Sequence, residues 1–79
     1  MEKQEVEKET KIGNTFAAVL KNNKTVSGGV VRYEDDKLVY LTNKTLRALK
    51  EKRVDFIDNP IIDNENVCTI LYSEINNII

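Results

Sequence analysis

Short apolar stretches closed by polar turns divide most of this chain, and their lengths and alternation predict strands. Thr15 to Lys21 is the first, with Phe16-Ala17-Ala18-Val19-Leu20 as its middle. Lys21-Asn22-Asn23-Lys24 predicts a tight turn, because asparagine tolerates the left-handed backbone a hairpin needs. Thr25 to Tyr33 is rich in β-branched residues (Thr25, Val26, Val30, Val31) and holds Gly28-Gly29 in its middle. Glycine inside a strand marks a bend, a bulge or a close backbone approach. Glu34-Asp35-Asp36 is the next turn, and Lys37 to Thr42 alternates Leu38 and Tyr40 with Val39 and Leu41. Val67 to Tyr72 sets Val67, Thr69 and Leu71 on one face. Ser73-Glu74 interrupts it, and Ile75 to Ile79 forms a last strand. Ile78-Ile79 is expected to lie buried against a sheet.

Elsewhere the period differs. Thr45 to Arg53 has good helix formers and Leu46/Leu49 at helical spacing, with Asn43 or Thr45 as its cap. Asp58-Asn59-Pro60 ends regular structure, and Asp63 to Asn66 is a second polar turn. Met1 to Lys11 alternates acid and base, with Val6 almost alone as an apolar residue. It is read as a solvated tail or a short frayed helix, broken by Gly13-Asn14. The division is therefore a charged tail over 1–12 and one domain over 13–79, with an insertion at about 43–65 between the third and fourth strands. Five short strands with tight turns predict a mainly β fold, a small, strongly bent antiparallel barrel with a helical insertion.

Composition narrows the chemistry. The chain has 79 residues, 41% hydrophobic, which suffices for one domain with a thin core. Oligomerisation is an expected source of further stability. Histidine is absent and Cys68 is the single cysteine, so no intrachain disulfide forms and histidine-based acid–base catalysis is excluded. Ser27 and Ser73 have no histidine to activate them. No catalytic constellation, metal site or cofactor site can be assembled, and an enzyme is not expected. The longest apolar run, Phe16 to Leu20, falls far short of the roughly 18 residues of a membrane span. The charged N-terminal residues do not make a secretory leader, so a cytoplasmic protein is expected.

The formal charge of −1 conceals an asymmetry. Residues 44–53 carry five bases (Lys44, Arg47, Lys50, Lys52, Arg53) against Glu51, whereas residues 54–79 carry five acids and no base. The basic block is a candidate anion-binding patch, or a solvated helix that covers a sheet edge and pairs with the acidic block after it.

The run Gly28-Gly29-Val30-Val31-Arg32-Tyr33-Glu34-Asp35-Asp36-Lys37-Leu38-Val39-Tyr40-Leu41 resembles the first motif of the Sm-like family. Gly28, Val30, Tyr33, Glu34, Val39 and Leu41 fall on its glycine, aliphatic, aromatic, acidic and hydrophobic positions. Val19 to Lys24 is similar to the first-strand ending and turn of that family, and Ile70 to Ile79 to the close of its bacterial, Hfq-like branch. The likeness covers roughly residues 14–42 and 66–79. It implies an SH3-like barrel whose bent second strand uses Gly28-Gly29, and a homo-oligomeric ring of about five to seven subunits. The ring would close where the fourth strand of one subunit meets the fifth of the next, at Val67, Thr69, Leu71, Ile75 and Ile78. It also implies RNA binding, of a kind used in post-transcriptional regulation. The family's base-binding asparagine is replaced by Leu38, and its pore lysine and histidine by Tyr72 and Ser73. The remaining RNA-binding candidates are Lys44, Arg47, Lys50 and Arg53, by charge, and Tyr40 and Tyr72, by stacking if they face a pore or groove. A structural or protein-interaction ring that has lost RNA binding is the alternative.

Overall fold

The computed structural model describes residues 1–51 and 67–79. The fold is mainly β. Strands β1 (Thr15–Leu20), β2 (Thr25–Tyr33), β3 (Lys37–Thr42), β4 (Val67–Leu71) and β5 (Ile75–Ile78) form one antiparallel sheet in the order β4-β3-β2-β1-β5. Helix α1 (Lys3–Glu9) precedes β1, helix α2 (Asn43–Glu51) follows β3, and a 3-10 turn (Tyr72–Glu74) separates β4 from β5. β4 and β5 are the two edges and do not pair with each other, so the sheet is not closed into the expected barrel. The expected helix end at Arg53 and the turns at 58–60 and 63–66 lie outside the described residues.

The turns form where the sequence demands them. Asn23 adopts the left-handed conformation, with φ 68°. Its N–H donates to the Leu20 carbonyl (2.9 Å), and the Asn22 side-chain oxygen accepts from the Lys24 N–H (3.0 Å). In β2 the expected bend has two parts. At Gly28 a Cβ would run into the carbonyl oxygen of Leu41, so only glycine lets β2 and β3 approach there. At Val31 the register slips: Val30 faces Tyr40, and Arg32 faces Val39. That extra residue is a bulge, which bends a strand and increases its twist.

The core gathers on one face of the sheet. Phe16, Ala18, Val30, Leu38, Tyr40 and Ile70 are buried there together with Tyr72, Ile75 and Val6. The Phe16 and Tyr40 rings meet edge to face, 5.4 Å between centroids. Val39 and Leu41 point to the opposite face and are also fully buried. α2 packs against β2 and β3. Its cap is Thr42, whose hydroxyl accepts from the Thr45 N–H (3.3 Å), rather than Asn43 or Thr45. Asn43 instead donates to the Ser27 hydroxyl (2.8 Å), tying the helix start to β2.

Two expectations are corrected. The segment read as a solvated tail or frayed helix is a docked helix, because Val6 is fully buried in the core. Thr10 fastens its end: its hydroxyl donates to the Val6 carbonyl (2.6 Å) and so accepts from the Tyr33 hydroxyl (2.7 Å). The Met1 amino group donates to the carbonyls of Tyr72 (2.9 Å) and Ile75 (2.8 Å). Ile79, expected to be buried, has its N–H bound to the Ala17 carbonyl (2.8 Å) while its side chain is 74% exposed.

Candidate nucleic-acid interface

α2 is amphipathic in the sense that matters for binding anions. Thr45, Leu46 and Leu49 are half-buried, and Lys44, Arg47 and Lys50 are exposed. Residues three apart on a helix are neighbours, with about 5–6 Å between their Cβ atoms. The three cations therefore form a slanting row along the outer surface. No described carboxylate forms an ion pair with them. Among the described residues no carboxylate neutralises this row, and positive charge of this kind is what phosphates are attracted to. Arg53, the fourth cation expected there, lies outside the described residues.

The aromatic candidates are placed otherwise. Tyr40 is 9% exposed, with its ring against Phe16. Burial, with a smaller contribution from Cys68, pushes its hydroxyl pKa up. Tyr72 is 4% exposed. Its hydroxyl donates to the Glu34 carbonyl (2.7 Å) and its N–H to the Asp36 carbonyl (3.1 Å), so one residue ties the β2–β3 turn to the 3-10 turn. Its hydroxyl pKa is pushed up to about 12, first by burial, then by the charges of Glu7, Tyr33, Asp36 and Glu34. Neither ring presents a face on which a base could stack, which corrects the reading of Tyr40 and Tyr72 as stacking platforms. Alternation along β3 hid this for Tyr40, because both faces of that strand are covered.

The edge residues divide. Thr69 and Leu71 are exposed on β4, and Leu71 is an exposed large apolar residue at 39%. Val67 and Ile78 are half-buried. The Ile75 side chain is fully buried in this chain's own core, so its expected side-chain contact with a neighbour is corrected; its carbonyl accepts from the Met1 amino group (2.8 Å). Cys68 and Ile70 turn to the core side of β4.

One feature was not expected. A groove of about 440 Å³ lies between α1 and β5, lined by Glu5, Lys8 and Glu9 on one side and Asn76, Asn77 and Ile78 on the other. Its only signal in the sequence is Val6, a lone apolar residue whose burial fixes which side of α1 faces the sheet. Among the described residues, no three histidine, cysteine, aspartate or glutamate side chains come together to hold a metal, and no helix is long and apolar enough to cross a membrane. Comparisons with known protein families, curated proteins and solved structures find no match for the chain.

Proposed function

We propose that this chain is an Sm-like subunit of a homo-oligomeric ring that binds single-stranded RNA by its phosphates on the outer face of α2. The observation that carries the reading is the exposed row Lys44, Arg47 and Lys50, without an ion pair among the described residues, on a helix fixed to the sheet. The strand order supports the ring. β4 and β5 lie at opposite edges of one sheet and, among the described residues, each pairs with a single strand, so a head-to-tail contact between them would repeat from subunit to subunit. The bulged β2 and the glycine-dependent approach at Gly28 are the features expected of a bent Sm-like barrel strand. A ring also repeats the α2 row several times, and linked weak sites gain affinity through effective concentration.

A second reading has its own support. The β2–β3 turn carries Glu34, Asp35 and Asp36, and the 3-10 turn beside it carries Glu74, while Tyr72 is buried between them. These are the loops in which the resemblance implies RNA contacts, and acids there repel phosphate. A ring that binds a protein rather than RNA fits that charge.

The test is native mass spectrometry of nuclease-treated protein, followed by fluorescence polarisation with short labelled oligoribonucleotides at rising salt. The proposal expects five to seven chains and an affinity that falls steeply with salt. Lys44→Glu/Arg47→Glu/Lys50→Glu then abolishes binding and leaves the ring intact. A ring that binds no RNA favours the second reading. A monomer or dimer overturns both.

A further inference from the structure

One nitrogen ties α1 to the far end of the sheet. The Met1 amino group donates to the Tyr72 carbonyl (2.9 Å) and to the Ile75 carbonyl (2.8 Å), and the Met1 side chain is half-buried against the core. The Tyr72 carbonyl also accepts from the Ile75 N–H, which closes the 3-10 turn. The same Tyr72 reaches the carbonyls of Glu34 and Asp36 in the β2–β3 turn. Met1 therefore meets the chain where β5, the 3-10 turn and the β2–β3 turn come together. Two bonds of this kind need two N–H donors on one nitrogen. A charged amino group has three, and an amide nitrogen has one. An amide at this position can serve only one of the two carbonyls, and it lacks the charge that strengthens such bonds.

The helix has few other anchors. Val6 is its one buried residue. At its end, Thr10 bonds the Val6 carbonyl and the Tyr33 hydroxyl. The Lys3–Asp35 ion pair is long, at 3.9 Å, and Asp35 is fully exposed, so water screens it. A seven-residue helix is too short to persist without tertiary contacts. The attachment to the sheet resumes at Gly13 and Asn14, where the Gly13 N–H donates to the Val30 carbonyl (2.9 Å) and the Val30 N–H to the Asn14 carbonyl (3.0 Å). Lys11 and Ile12, just before them, are exposed. A segment held at so few points can open without the core.

We infer that the Met1 amino group is a modification-sensitive switch for α1: free, it holds the helix on the sheet, and acylated, it lets the helix go. The acyl group comes from an acyl thioester. A C–N bond forms at the neutral Met1 nitrogen, the C–S bond breaks, and the thiol leaves with the proton that the nitrogen gives up. In the docked state both carbonyls engage that nitrogen, so the reaction meets the undocked state. The amide it leaves cannot restore both bonds, and the population shifts toward the open helix. The departing helix takes with it Glu5, Lys8 and Glu9, one wall of the groove beside β5, and the Ile75 carbonyl loses its Met1 partner. The switch is independent of the ring and of the RNA binding proposed above.

Amide hydrogen exchange tests the switch on three full-length chains made by chemical synthesis. One has a free Met1 amine, one an Nα-acetyl group and one an Nα-methyl group. The methylated amine adds bulk but keeps its charge and two N–H donors. All three are read at a concentration where native mass spectrometry shows the same single species, so assembly does not enter. Amides 5–9 are expected to exchange at least tenfold faster in the acetylated chain, with β2 and β3 changed less than twofold, and to stay close to the free-amine rates in the methylated one. Equal exchange of α1 in the free and acetylated chains overturns the switch. Equal release by acetyl and methyl overturns it too, since bulk rather than donors then governs docking. Loss of protection throughout the sheet of the acetylated chain does the same, because α1 then does not leave alone.

Discussion

β3 and β4 are neighbours in one sheet, yet their exposed surfaces have little in common. In β3, Leu38, Val39, Tyr40 and Leu41 are all buried, so both faces of the strand are covered. In β4 only Ile70 is buried, while Thr69 and Leu71 face solvent. The first arrangement concentrates stability, since each buried side chain contributes about 1.5–3 kcal/mol of transfer free energy. The second leaves Leu71 exposed and, among the described residues, one edge of the strand unpaired. β5, at the far edge, resembles β4: it buries Ile75 and exposes Asn76 and Asn77. The centre of the sheet holds the fold, and its edges leave Thr69, Leu71, Asn76 and Asn77 exposed.

The largest effect belongs to the β2–β3 contact. Gly28→Val puts a Cβ where the Leu41 carbonyl stands, and a main-chain atom cannot move aside as a flexible side chain would. Loss of cooperative unfolding is expected, seen as a broad or absent urea transition by far-ultraviolet circular dichroism. A variant with a sharp transition near that of the wild type would show that β2 and β3 can separate at no cost. Next comes Leu38→Ala, at a fully buried position on the core side of β3. Truncations of this kind cost about 2–5 kcal/mol, a large share of the roughly 5–15 kcal/mol that holds a small domain together. The midpoint should fall with an unchanged denaturant slope.

Tyr72 stands where centre and edge meet, and its effect should be intermediate. Tyr72→Phe removes the donor to the Glu34 carbonyl, which is expected to cost about 1–2 kcal/mol. The same hydroxyl gives a pH signature. Its pKa of about 12 lies above the value of 10.0 for an unburied tyrosine, so the folded chain holds this proton more tightly than the unfolded one. The stabilisation is complete below pH 10 and fades as pH rises toward 12. The stability difference between the wild type and Tyr72→Phe should therefore shrink across that window in urea titrations. A constant difference would mean that the hydroxyl is not held as described.

How much of this was legible in the sequence follows the same contrast. The five strands, the left-handed turn at Asn23 and the close approach at Gly28 were legible because local chemistry dictates them: β-branched runs, an asparagine pair and a glycine pair. What escaped depends on a second element arriving from elsewhere. Val6 looks solvated among charges, and becomes core only when α1 docks on the sheet. Tyr72 and Tyr40 look available until the β2–β3 turn and Phe16 enclose them. Thr42 ends a strand by its alternation, and only the direct passage of β3 into α2 makes it a cap. The cations at Lys44, Arg47 and Lys50 were legible as a block, and their exposure together followed once Leu46 and Leu49 fixed the inner side of α2. Ile79 shows the reverse error: an apolar residue is expected inside, but at a sheet edge its backbone is bound and its side chain is not covered.

The smallest effect on stability sharpens the comparison most. Leu71 is 39% exposed at the end of β4, and Lys37 is its partner on β3. Leu71→Lys keeps an alkyl stem against the sheet and extends a charge into water, and surface substitutions of this sort usually stay within about 0.5 kcal/mol. Measured at a concentration where the chain is monomeric, the urea midpoint should barely move. Inward or edge-placed lysine is also how natural sheets prevent unwanted strand pairing. The substitution should therefore remove assembly in native mass spectrometry while the monomer folds as before. If it instead costs as much as Leu38→Ala, the β4 edge is part of the folding core and the division between centre and edge fails. If it leaves both stability and assembly untouched, subunit contact does not pass through β4.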